Sequence, residues 1–159
     1  MNYFQITKCD MLNGDGIRVV LWVAGCDHHC KGCQNAYTWD CHAGLPFDKQ
    51  AKQELFEALA EDYISGITFS GGDPLFPVNR ETVAGLIREI KQRFPDKTIW
   101  LYTGYVYEEL KNFAEIQPVL NDIDVIVDGE FVEELKDIDY KWAGSTNQRV
   151  LTLRDRMKM

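Results

Sequence analysis

Three cysteines crowd into one short stretch, Gly25-Cys26-Asp27-His28-His29-Cys30-Lys31-Gly32-Cys33, with the spacing C-x3-C-x2-C. Thiolates this close together can wrap one compact soft-metal centre, and cysteine thiolates select zinc or iron–sulfur clusters. A structural zinc site closes with four ligands, and the loop itself supplies three cysteines. On a four-iron cube, three cysteines leave one iron open, which is what a metal site needs to bind a substrate. The spacing alone leaves zinc open as well, with His28, His29 or His42 completing the set. A disulfide inside the loop would strand an odd cysteine. Cys9 and Cys41 lie outside it and read as small, partly buried hydrophobes. His28 and His29 are adjacent, so their side chains point in different directions. They are expected to be polar loop residues or donors behind the ligands.

A second group of residues suits a ligand's polar end. Glycine lets backbone approach a ligand closely, and free peptide groups at such a loop can bind a zwitterion. Ser70-Gly71-Gly72-Asp73-Pro74 has that composition, although on its own it is also a plain turn before a helix. Asn13-Gly14-Asp15-Gly16 reads first as a tight turn. Arg18 stands in an otherwise apolar run and needs a partner, so it is expected to face the site or to pair with an acid at its rim. Thr103 and Asp128 fall at strand ends, where a ligand contact and simple capping are equally good readings. Trp39, Trp100 and Trp142 read as core or interface aromatics.

The elements that must position these residues alternate between strand-like and helix-like. Ile17 to Val23 is nearly all apolar and β-branched, like a strand buried on both faces, and it runs into the cysteine loop. Asp48 to Asp62 carries a helical stripe of Ala51, Leu55, Ala58 and Leu59. Gly66 to Ser70 is a short strand. Asn79 is expected to cap the next helix, whose stripe is Val83, Leu86, Ile87, Ile90 and Phe94, with Pro95 and Asp96 as its stop. Thr98 to Tyr102 is a strand. Tyr107 to Leu120 is expected to be helical and interrupted near Pro118, Ile123 to Val127 is a strand, and Arg149 to Leu153 a last one. This alternation predicts an α/β fold with a mainly parallel sheet and right-handed crossovers. Ligands on such sheets collect beyond the carboxyl ends of the strands. The loops Cys26 to Cys33, Ser70 to Pro74, Thr103-Gly104 and Asp128-Gly129 all fall at that edge.

Composition narrows the function. The chain has 159 residues, 45% of them hydrophobic and 26% charged, which predicts one domain over residues 1–159, too short for a full eight-stranded barrel. The net charge of −8 argues against a general nucleic-acid binder, which needs a basic face. The only basic stretch, Arg154-Asp155-Arg156-Met157-Lys158, reads as a solvated end. No apolar run approaches the ~20 residues that span a bilayer, and no signal peptide is visible. A cytoplasmic location is expected, where cysteines serve metals or catalysis more often than disulfides.

The cysteine spacing resembles that of the radical S-adenosylmethionine superfamily. More closely, the chain resembles the activating proteins of anaerobic (class III) ribonucleoside-triphosphate reductases. The similar stretches are Met1-Asn2-Tyr3, Asn13-Gly14-Asp15-Gly16-Ile17-Arg18, Gly25-Cys26 through Asn35, Thr38-Trp39 and Ser70 to Leu75. They continue with Tyr102-Thr103-Gly104-Tyr105, Val127-Asp128-Gly129-Glu130-Phe131 and Gly144-Ser145-Thr146-Asn147-Gln148. The resemblance implies a partial, open β/α barrel with a 4Fe-4S cluster on Cys26, Cys30 and Cys33. It implies S-adenosyl-L-methionine as the second cofactor, reductively cleaved to make a glycyl radical on the large subunit of the reductase. Gly72, with Gly71 and Asp73 nearby, would hold the methionine amino group. Backbone at Gly32, Cys33 and Gln34 would meet the adenine, and Thr103 and Asp128 the ribose, the methionine or a cation. One departure is that Gln34 stands where the family often has a tyrosine. An external one-electron donor such as flavodoxin is implied, and neither nucleic acid nor membrane. An activase of another glycyl-radical enzyme, such as pyruvate formate-lyase, and a non-catalytic zinc-stabilised binding module are the alternatives.

Overall fold

A computed structural model of the chain describes residues 1–153. The basic stretch beginning at Arg154 lies outside the described residues. In chain order the main elements are β1 (Asn2–Asp10), β2 (Arg18–Val23), β3 (Leu45–Pro46), α1 (Lys49–Leu59), β4 (Gly66–Gly71), α2 (Pro77–Arg93), β5 (Thr98–Tyr102), α3 (Tyr107–Leu110), β6 (Val125–Asp128) and β7 (Arg149–Thr152). The strands form one seven-stranded sheet in the order β3-β1-β2-β4-β5-β6-β7.

Strands β2, β4, β5 and β6 run parallel, whereas β1 pairs antiparallel with β2 and β3, and β7 pairs antiparallel with β6. The sheet is therefore mixed and not closed, which corrects the expectation of a mainly parallel one. Parallel neighbours need a long crossover, usually a helix. The β1–β2 connection and the stretch from β6 to β7 contain no α-helix, and these are the places where the strand direction reverses.

Alternation along the strands gives the sheet two different faces. Val19, Leu21, Val23, Ile67, Phe69, Ile99, Leu101 and Ile126 pack with Leu55 and Leu59 of α1 and with Val83, Ile87 and Ile90 of α2 in one continuous core. At ~25 cal/mol per Å² of apolar surface removed from water, this face supplies most of the stability. The other face carries Arg18, Trp22, Thr68, Ser70, Trp100 and Tyr102, a mixed polar and aromatic surface. Trp100, Val125 and Val127 make a small cluster there with Trp142 and Val150.

Three details differ from the sequence expectation. The strand feeding the cysteine loop is the second, because β1 precedes it. Asn79 does not cap α2. Phe76 occupies the cap and Pro77 the first turn, where its missing N–H costs nothing, so Asn79 falls inside the helix. The helix expected over Tyr107 to Leu120 shrinks to α3, followed by tight turns and a 3₁₀ turn over Gln117–Asp122. The buried residues Leu110, Ile116, Val119 and Leu120 do not share one helical stripe, and Pro118 has no N–H to continue the ladder.

Candidate metal centre

The chain leaves β2 at Val23 and bends at Gly25, which has a φ of 105°. A Cβ there would sit 2.8 Å from Phe76 and 3.0 Å from Cys41, so only glycine fits. The Gly25 amide donates to Thr38 O (2.7 Å) and the Cys26 amide to Trp39 O (3.1 Å), which anchors the start of the cysteine loop.

Cys26, Cys30 and Cys33 are half-buried free thiols. Peptide N–H groups point at all three sulfurs: those of His28 and His29 at Cys26, that of Phe131 at Cys30, and that of Asn35 at Cys33 (3.4 Å). Burial nevertheless pushes the Cys26 thiol up to about 11 and raises Cys30 as well. Soft donors with amide hydrogen bonds already aimed at them are a donor set that fits a thiolate-bound metal centre. Binding such a centre would release the thiol protons.

His28 ties the loop to two others. Its Nε2 lies 2.8 Å from Asp73 Oδ2 and its Nδ1 2.9 Å from Glu130 Oε1. The hydrogen bond to Asp73 is the main reason its pKa is pushed up to about 9, so at neutral pH the imidazolium donates to both carboxylates. His29 stacks on Trp39 with ring centroids 4.4 Å apart. Both nitrogens of His28 are thus taken up by carboxylates. Cys26, His28 and Asp73 do present ligand atoms within 4.8 Å of one another, a spacing compatible with a small ion.

Asp73 is 2% exposed and collects donors from three loops. Oδ1 accepts from the Leu75 amide (2.8 Å) and Oδ2 from the Gly104 amide (2.9 Å), and the Thr103 hydroxyl donates to the carboxylate at 2.9 Å. Gly104 is needed because a Cβ would lie 2.5 Å from the His28 ring. Gly71 and Gly72 pack against the end of β2. A Cβ on Gly72 would sit 2.5 Å from Gly25 O, and the amides of Gly72 and Asp73 donate to Val23 O (2.8 Å) and Gly25 O (2.7 Å). Buried Asn79 holds the same junction from below, donating to Ala24 O (2.9 Å) and Asp73 O (3.1 Å).

The loop after β6 closes over the cysteines. Glu130 and Phe131 supply the contacts to His28 and Cys30 already described, and Glu133 lies against Gly32. The stretch 144–148 props this loop up: Gln148 Nε2 donates to Gly129 O (2.9 Å), Asn147 Nδ2 to Glu130 O (2.8 Å), and the Val132 amide donates to Ser145 Oγ (3.2 Å). Asp128 faces away from this traffic. Its carboxylate accepts from the Tyr107 amide (2.8 Å) and from Arg149 Nε (3.0 Å).

Beside the loop, a cavity of about 860 Å³ opens over the polar face of the sheet. Its floor includes Trp22, Cys33, Gln34, Asn35, Ser70 and Tyr102. Of the ligand and cofactor candidates named from sequence, Cys33 and Gln34 are on its wall, and Asn13, Ser70 and Trp142 border it too. Gly71, Gly72, Asp73 and Thr103 form the layer that fixes the loop behind it. Arg18 is at the opposite end of β2. It bonds Thr68 Oγ1 (2.9 Å), Asp15 O (2.9 Å), Ile67 O (2.8 Å) and both oxygens of Thr98 (2.8 Å). It neither faces the site nor meets an acid, which corrects the expectation for it. Hydroxyls and carbonyls from distant strands satisfy it instead, and burial lowers its pKa to about 10. Asn35, Glu130 and Phe131 fall in stretches that carry the family resemblance and Asn79 was expected as a helix cap, but no local signal gave any of them the contacts seen here.

Comparison with known proteins defines the class. The model of the 4Fe-4S single cluster domain family matches residues 12–151. Among curated relatives, the anaerobic ribonucleoside-triphosphate reductase-activating protein of Enterobacteria phage T4 is 45% identical over 94% of this chain and 93% of its own length. Those of Haemophilus influenzae (43% identity, 93% and 96% coverage) and Escherichia coli K12 (44% identity, 97% and 100% coverage) are similar. The chain belongs to the family of anaerobic ribonucleoside-triphosphate reductase-activating proteins, within the 4Fe-4S single cluster domain class. Among the described residues, no helix is long and apolar enough to cross a membrane.

Proposed function

We propose that this chain is the activating enzyme of an anaerobic ribonucleotide reductase and installs a glycyl radical on the reductase's large subunit. The observation that carries the reading is the set of peptide N–H groups aimed at Cys26, Cys30 and Cys33, the last of which lines a cavity large enough for a nucleoside-sized cofactor. In this reading the three thiolates hold a 4Fe-4S cluster and S-adenosyl-L-methionine lies on the cavity floor. Bound on Cys26, Cys30 and Cys33, the cluster would supply the electron for reductive cleavage of the cofactor's sulfur–C5′ bond, the chemistry from which a glycyl radical on the reductase would follow.

The chain's own residues bind, orient and exclude water. The Gly72 carbonyl is not engaged by the bonds that fix its amide and is suited to accept from the methionine ammonium, with Gly71 giving the close approach. Backbone at Gly32, Cys33 and Gln34 borders the adenine, and Gln34 offers an amide side chain where an aromatic ring would stack. Asp73 and Thr103 act one step back, holding the cysteine and glycine loops in register. Asp128 fixes β6 and β7 through Arg149. No acid–base pair is needed. The sheet acts as a partial, open β/α barrel in a single domain, operating in the cytoplasm with an external electron donor such as flavodoxin.

The test is anaerobic reconstitution followed by incubation with S-adenosylmethionine, reductant and the large reductase subunit. Electron paramagnetic resonance is expected to show a glycyl radical, and Cys30→Ala to abolish it together with cofactor cleavage. Metal analysis returning one zinc and no iron would overturn the reading and favour a non-catalytic, zinc-stabilised binding module.

A further inference from the structure

The three most exposed large hydrophobic side chains among the described residues are Ile138 (88%), Leu12 (83%) and Met11 (70%). Scattered apolar residues on a surface need no explanation. These are not scattered, because all three border the cavity that has Cys33 and Gln34 in its wall. They come from two separate segments, the turn between β1 and β2 and the stretch between β6 and β7.

Both segments hold these side chains outward by local hydrogen bonds. Asp10 Oδ1 accepts from the amides of Leu12 (2.8 Å) and Asn13 (2.9 Å), so the turn has a fixed shape. Asp137 Oδ1 accepts from the Asp139 amide (2.9 Å), and the Asp137 amide donates to Gly144 O (3.1 Å), which sets Ile138 at the tip of a closed turn. A cofactor on the cavity floor cannot remove side chains this exposed from water. Only a macromolecule covering the mouth can.

Charge at the mouth narrows its nature. Lys136 and Lys141 balance Asp137 and Asp139 among the lining residues, so nothing there selects a polyanion or an anionic lipid surface. An apolar rim around a deep cavity fits a protein segment that inserts backbone and covers the rim with apolar side chains.

We propose that Met11, Leu12 and Ile138 form an apolar collar that grips the glycine-bearing loop of the reductase's large subunit as it enters the cavity. The inference rests on the function proposed above and adds the surface and the chemistry of the segment: an extended loop with apolar residues flanking the glycine. A second copy of this chain on the same collar would block the mouth, so the reductase is the favoured occupant.

The experiment compares wild type, Leu12→Asp, Ile138→Asp and the double variant as reconstituted full chains. Affinity for the complete large subunit is read by anaerobic fluorescence anisotropy, separately from radical yield. Each single variant is expected to bind ~10-fold more weakly and the double ~100-fold. Iron content and partner-free cleavage of S-adenosylmethionine should stay at wild-type levels. Leu12→Ser with Ile138→Ser removes the apolar surface without adding charge and is expected to weaken binding in the same direction. Double variants that bind the reductase as tightly as wild type overturn the collar. So does a wild type that self-associates through these residues while the reductase binds both forms equally. A wild type that binds through the collar but cleaves no cofactor would remove the proposed chemistry and leave the surface standing.

Discussion

Replacing Asp73 with asparagine changes one atom's chemistry at the point where three loops meet. The carboxylate is 2% exposed and accepts from Leu75 N–H on Oδ1, from Gly104 N–H and His28 Nε2 on Oδ2, and from the Thr103 hydroxyl. An amide has one acceptor end and one donor end. With its NH₂ at the Oδ2 position it opposes both Gly104 and His28. With its NH₂ at the Oδ1 position it opposes Leu75 alone, and the Thr103 hydroxyl can turn. The second arrangement is cheaper, yet it leaves a buried peptide N–H unpaired at ~1–3 kcal/mol. Exchanging a charge-assisted bond from His28 for a neutral one adds on the order of 1 kcal/mol. The expected loss is about 3 kcal/mol, which for a chain of this length lowers the melting midpoint by ~6–12 °C. The assay is thermal unfolding by circular dichroism at pH 7, on cluster-free protein with chelator and reductant, so that no metal masks the effect. Thr103→Val, which removes one donor and leaves the carboxylate paired, should fall by clearly less. An Asp73→Asn midpoint within ~2 °C of wild type would refute the idea that this carboxylate organises the site.

Three further outcomes follow from the same geometry. Gly72→Ala should destabilise by ~1–3 kcal/mol, because its Cβ meets Gly25 O at 2.5 Å, and should weaken S-adenosylmethionine binding in equilibrium dialysis while iron loading persists. Arg18→Ala should cost ~3–5 kcal/mol in chemical denaturation by stranding carbonyls and hydroxyls beside Trp100, yet leave saturating iron content unchanged, since Arg18 lies at the far end of β2 from Cys26. Gln148→Leu removes the acceptor for the Gly144 and Ser145 amides and the donor to Gly129 O; iron loss to a chelator should accelerate ~5-fold, with about 1 kcal/mol of lost loop stability.

Elements whose burial is decided locally were legible in the amino-acid sequence. β2, β4 and β5 are dense in β-branched and apolar residues, and the stripes of α1 and α2 match the side chains that pack beneath the sheet. β1 was not, because among its nine residues only Ile6 is buried, and an edge-side strand of this kind has no period to detect. The antiparallel returns of β1 and β7 escaped for a related reason, since strand direction depends on connections that contain no helix. At the site, the ligand triplet and the glycine loop stood out by composition. Glu130 and Asn79 did not, because each acquires its role from a partner far along the chain: His28, 102 residues from Glu130, and Ala24, 55 residues from Asn79. Arg18 illustrates the same limit. Its oddness in an apolar strand was visible, but the hydroxyls and carbonyls that satisfy it belong to β4 and β5.

The stretches 127–131 and 144–148 gain a physical meaning from these long-range contacts. Each sulfur takes its amide donor from a different stretch: Cys26 from within the cysteine loop, Cys30 from Phe131 after β6, and Cys33 from Asn35 at the start of the next turn. Burial alone would keep the thiols protonated and poorly suited to bind metal, as the raised values at Cys26 and Cys30 indicate. The amides work against that cost, and at Cys30 the larger of the two amide contributions, from Phe131, requires the loop after β6 to be in place. Gln148 and Asn147 hold that loop through hydrogen bonds to Gly129 O and Glu130 O. A short chain can therefore present three soft ligands without dedicating a helix or a disulfide to the task. The sheet fixes the roots of the loops, local amides serve Cys26 and Cys33, and a backbone group borrowed from a distant loop serves Cys30.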